Sequence, residues 1–151
     1  MGITSWIFNR FGDLLRNPEN SLASDLSNLQ GRKNRLQAAV LDTRRLFDAE
    51  FVEFDRHLRR MVSNSELSFK EYGKIKELCG VFLNSTREKI EEEKDMAMES
   101  ARLSSSKVAS VGIVRLAGIA LEIIDKKENI IKIERAISEL QTEISRIRKT
   151  S

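Results

Sequence analysis

ENIIKIERAISELQTEISRIRK, residues 128–149, decides the fold class. Its Ile130, Ile133, Ile137, Leu140, Ile144 and Ile147 recur at steps of 3, 4, 3, 4 and 3. That spacing keeps apolar side chains on one stripe of an α-helix, whereas a strand needs alternation at every second residue. Glu134, Arg135, Glu139, Glu143 and Arg146 flank the stripe with charge. The seam covers nearly three heptads, and β-branched residues at both seam positions favour more than two helices around it. Two partners suit it: the earlier helices of the same chain, or a second copy.

Immediately upstream, VASVGIVRLAGIALEII (108–124) is apolar nearly all round. Its 17 residues include Arg115 and Glu122, so it is too short and too charged to span a bilayer. Ala109, Gly112, Ala117 and Ala120 share one helical face, where small side chains let a neighbouring helix approach closely. Arg115 and Glu122 lie on a separate polar stripe. The reading is a central bundle helix, joined to the seam in one element over about 107–149. SSSK (104–107) is the soft boundary before it.

A preceding helix is expected over about 68–104. Ser68 with Glu71 three residues on fits a capping box. Phe69, Tyr72, Ile75, Leu78, Cys79, Phe82, Leu83 and Ile90 supply its apolar stripe. Its later part, STREKIEEEKDMAMES (85–100), has only Ile90, Met96, Ala97 and Met98 to bury. Before it, Leu22, Leu26, Leu29, Leu36, Val40, Phe47, Phe51, Phe54, Leu58 and Met61 recur at helical spacing. Lys33 and Thr43 stand in two slots where an apolar residue is expected. One helix over about 22–62 follows. The fold class is therefore all-α: an elongated antiparallel three-helix bundle or coiled coil forming a single domain over 22–151, preceded by a short amphipathic N-terminal helix.

That first helix, residues 1–16, is set apart by NPENS (17–21), read as a turn and hinge because proline restricts the residue before it. Ile3, Trp6, Ile7, Phe8, Phe11, Leu14 and Leu15 occupy an arc of about 200° on a helical wheel. Arg10 lies within the arc, where its stem can lie flat while its head reaches water or phosphate. Such a face suits a membrane interface, where tryptophan prefers the headgroup level. It also suits a groove on a helix-binding protein and, first among the three, the chain's own bundle around Phe47, Phe51 and Phe54. Gly2 invites a myristoyl anchor, but Trp6 occupies the position where that pattern wants Ser or Thr. Asn9 and Arg10 break the apolar run before a secretion signal is complete.

Composition agrees. The chain is 40% hydrophobic and 32% charged, with one proline and seven glycines in 151 residues, which excludes a disordered or integral membrane class and favours helix. The net charge of +3 is too small and too evenly spread for a nucleic-acid footprint. Arg44, Arg45, Arg56, Arg59 and Arg60 are interleaved with Asp48, Glu50, Glu53 and Asp55, a pattern of helical ion pairs.

No chemistry stands out. The single histidine, His57, and single cysteine, Cys79, fall on different helices without metal-ligand spacing. Cys79 lies in an apolar stripe as a small hydrophobe. Glu88, Glu91, Glu92, Glu93 and Asp95 are spread around a helix, whereas a calcium site needs a loop that folds oxygens inward. The isolated glycines form no phosphate loop.

The expectation is a non-enzymatic, self-associating scaffold with no cofactor, metal or small-molecule substrate. It is cytoplasmic and peripheral on an anionic membrane surface, with a soluble adaptor as the alternative.

Overall fold

The computed structural model describes residues 18–103 and 107–150. They form four α-helices and one 3-10 turn, with no strand among the described residues. Helix α1 spans Pro18–Ser63, α2 Phe69–Gly80, α3 Arg87–Leu103 and α4 Lys107–Thr150, with the 3-10 turn at Phe82–Asn84 between α2 and α3. The all-α class holds. The expected amphipathic segment 1–16 lies outside the described residues.

Two boundaries differ from expectation. The expected hinge at 17–21 is helical from Pro18 on. Proline is at home in a first helical turn, where its missing N–H would have had no partner. The expected continuous helix over 68–104 is two helices. Gly80 ends the first, and Ser85 and Thr86 supply local caps. Ser85 Oγ donates to Val81 O at 2.7 Å, and Thr86 Oγ1 accepts from Lys89 N–H at 3.3 Å to open α3. Short hydroxyl side chains compete with a continuing helix in this way.

The direction of α4 explains why the break is needed. Glu50 pairs with Arg115 at 2.8 Å, and Phe54 lies against Gly112, so α1 and α4 run antiparallel. With α1 ending at Ser63 and α4 starting beside that end, the intervening chain must travel out and return. Asp55 and Arg59 against Lys76 and Tyr72 set α2 antiparallel to α1. Arg87 meets Asp125 at 2.5 Å, and α3 then returns to the start of α4. Within residues 39–126 the result is an up-down-up-down arrangement of four helical segments rather than three.

The chain divides into two units. One takes Ala39–Lys126, and the other takes the chain up to Ala38 together with Lys127 onward. In the first, Phe47, Phe54, Leu58, Tyr72, Cys79, Phe82, Ile90, Ala97, Ile113, Leu116 and Ala120 belong to one buried core drawn from all four helices. Phe47 and Phe51 stack at 6.2 Å. The charged α3 buries Ile90 and Ala97 and leaves Met96 and Met98 exposed. The two methionines sit about 100° to either side of Ala97 on the wheel. In the second unit, Leu22 and Leu29 of α1 pack with Ile133, Ile137, Leu140 and Ile144 of α4.

Both polar residues in the apolar series of α1 have a physical account. Buried Thr43 donates its hydroxyl to Ala39 O at 2.8 Å. Lys33 is half-buried, with its ammonium 3.8 Å from Glu134.

Candidate docking surfaces

The seam residues are brought together within the chain. Ile133, Ile137, Leu140 and Ile144 are buried against Leu22 and Leu29, with Leu26, Leu36, Ala136 and Ile147 packed at the margin. Ile130 is also buried. Stability here follows from apolar area removed from water, at roughly 25 cal/mol per Å².

The small-residue face is likewise an interior contact. Ala109, Ala117 and Ala120 are buried. A Cβ on Gly112 would overlap the Phe54 ring, with Cζ at 2.6 Å. Arg115, on the neighbouring stripe, reaches Glu50, and Glu122 pairs with Lys126 at 2.7 Å.

The most organised polar cluster joins α1 to α2. Tyr72 donates its hydroxyl to Asp55 Oδ1 at 2.5 Å. Arg59 Nε donates to Tyr72 Oη at 3.1 Å and lies 3.0 Å from Asp55 Oδ2. Lys76 Nζ is 3.7 Å from Asp55. The hydrogen bond to Tyr72, then the charge of Asp55, holds the Arg59 guanidinium above its ordinary pKa. Tyr72 brings a buried ring and a polar tip, so the cluster fixes the azimuth of α2 on α1.

Beside this cluster Arg59, Val62, Ser63, Phe69, Tyr72 and Lys76 line a surface groove of about 440 Å³. Phe69, placed on the buried stripe by sequence, is 78% exposed, with its ring 6.0 Å from Tyr72. The correction follows from position. Phe69 is the first residue of α2 after its cap Ser68, whose hydroxyl accepts from Glu71 N–H at 3.1 Å. It falls about 60–80° off the inward directions marked by Tyr72 and Cys79. That signal was present in the spacing, but only with the inward direction known does it read as exposure.

The other reactive groups stand apart. Cys79 is fully buried, and burial pushes its thiol up to about 12. His57 is exposed, 3.6 Å from Glu53. Glu93 pairs with Lys89 at 3.1 Å, which raises the lysine pKa. Among the described residues no group of His, Cys, Asp or Glu is placed to hold a metal ion, and no helix is long and apolar enough to cross a membrane. The docking residues Ile3, Trp6, Ile7, Phe8, Arg10, Phe11, Leu14 and Leu15 lie outside the described residues. No family model matches this chain, and neither a curated protein nor a solved structure matches it.

Proposed function

We propose that this protein is a non-enzymatic, self-associating helical scaffold that docks peripherally on an anionic membrane, on its cytoplasmic side. The observation that carries the reading is the sequence spacing of Ile3, Trp6, Ile7, Phe8, Phe11, Leu14 and Leu15, which share one aromatic-rich arc of a helical wheel that also takes in Arg10. A wide apolar face with tryptophan and an arginine is the composition of interfacial helices. The last residue of the arc, Leu15, stands three positions before Pro18, where the 46-residue helix opens.

The chain's only tryptophan is Trp6, so its fluorescence reports on this segment alone. Vesicles of phosphatidylserine and phosphatidylcholine at moderate salt are expected to co-sediment the full chain and to shift the Trp6 emission to the blue. Phe11→Glu is expected to abolish both, and Trp6→Glu to abolish sedimentation. No sedimentation of the intact chain overturns the membrane reading and leaves the soluble adaptor, whose segment 3–16 fills a groove on a partner protein.

A further inference from the structure

One flank of α2 offers an exposed aromatic side chain and a place to receive one. Phe69, Gly73, Lys76 and Gly80 stand at i, i+4, i+7 and i+11 and share one face. Phe69 is the most exposed of the large apolar side chains among the described residues. A Cβ at Gly73 or Gly80 would meet nothing within 4 Å. No contact among the described residues therefore asks for glycine at Gly73, although glycine weakens a helix interior. Gly73, Lys76, Glu77 and Gly80 outline the four-residue hole that receives a knob in helix packing, and the two glycines deepen it. Exposed Val81 extends the same surface past Gly80.

We propose that α2 pairs antiparallel with α2 of a second copy of this chain, each Phe69 seated in the other's hole at Gly73, Lys76, Glu77 and Gly80. Charge identifies the occupant. Lys70 and Glu77 lie seven residues apart on the same outer flank of this face. An antiparallel pairing sets Lys70 of each copy opposite Glu77 of the other, twice by two-fold symmetry. A parallel pairing puts this flank of the two copies on opposite sides of the interface, so neither Lys70 nor Glu77 gains a partner across it.

The footprint sets the strength. A helix of 12 residues is about 18 Å long and about 10 Å wide, small beside the ~800 Å² per partner of a stable complex. The dimer is therefore weak and concentration-dependent, with a Kd of about 10–100 μM. It deepens the scaffold reading by giving its self-association a place. Dimerisation is measured without lipid, so it stands or falls apart from membrane docking.

Sedimentation equilibrium of the full chain under reducing conditions tests it, from about 5 to about 500 μM, a range bracketing that Kd. A monomer–dimer equilibrium is expected. Phe69→Asp and Gly73→Leu are each expected to weaken it at least about tenfold. The circular dichroism and Tm should hold, because Phe69 is exposed and leucine is the better helix former. Lys70→Glu should weaken dimerisation, and adding Glu77→Lys to it should restore it. A chain monomeric throughout, a dimer indifferent to Phe69→Asp and Gly73→Leu, or a double swap that fails to restore association each overturns the proposal. The last outcome excludes the antiparallel register in particular.

Discussion

Gly112 is the residue on which the contact between α1 and α4 most directly depends. An alanine there gains helix propensity of roughly 1 kcal/mol, yet its methyl would overlap the Phe54 ring. The ring is rigid and part of the buried core, so it must move as a body. Overpacking of this kind costs about 1–3 kcal/mol, and Gly112→Ala is expected to be destabilising in urea unfolding despite its propensity. In the background of Phe54→Ala the same change should become neutral or stabilising, because the clash is gone and the propensity remains. Cys79 makes a second prediction at this scale. Its thiol is held protonated by burial, with the pKa raised from 9.0 to about 12. Below pH 9 neither state is charged and the group contributes no pH dependence. Between about 9 and about 12 the unfolded chain releases its proton while the folded chain keeps it, so stability falls as pH rises. Cys79→Ala is expected to lose some stability to the cavity at neutral pH and to flatten this alkaline slope, read from denaturant midpoints between pH 8 and 11.

At the scale of elements, the helix ends carry their reasons locally. Helix α1 closes with Glu66 N–H on Met61 O at 2.9 Å and Ser65 N–H on Val62 O at 3.1 Å, the paired bonds of a Schellman ending. The residue this motif places in the left-handed region is Ser65, at φ 61°, where glycine carries no Cβ penalty. Ser65→Gly is expected to raise stability by about 0.5–1 kcal/mol, measurable as a rise in Tm with an unchanged helical spectrum. The opening of α2 at Ser68 was legible in advance, because a capping box is a short-range pattern and the hydroxyl half of it is made. The opening of α3 at Thr86 was not. The run Asn84-Ser85-Thr86 after Gly80 held the signal, but apolar spacing continues across it, and spacing alone reads as one helix.

At the scale of the whole molecule, the two units have separate apolar cores that share α1 and α4. Truncating a side chain in one core should therefore loosen that unit first. Ile137→Ala removes a buried seam residue, a change that costs about 2–5 kcal/mol. Hydrogen exchange is expected to accelerate in residues 22–38 and 127–150 more than in α2 and α3. Equal acceleration everywhere would mean that the two units open together.

The sequence by itself determined the all-α class, the apolar seam from Ile130 to Ile147, the close-packing face around Gly112 and the cap at Ser68. Each is a relation between residues a few positions apart, and helix geometry converts such spacing directly into a shared face. Only the tertiary structure decided that Ile133, Ile137, Leu140 and Ile144 meet Leu22 and Leu29, where the seam pattern alone suited a neighbour in the chain or in another copy equally. It alone decided that the chain between α1 and α4 folds back on itself, because that follows from α4 running antiparallel to α1. It also decided that Phe69 stays exposed, because a helix has an inside only once its neighbours are in place.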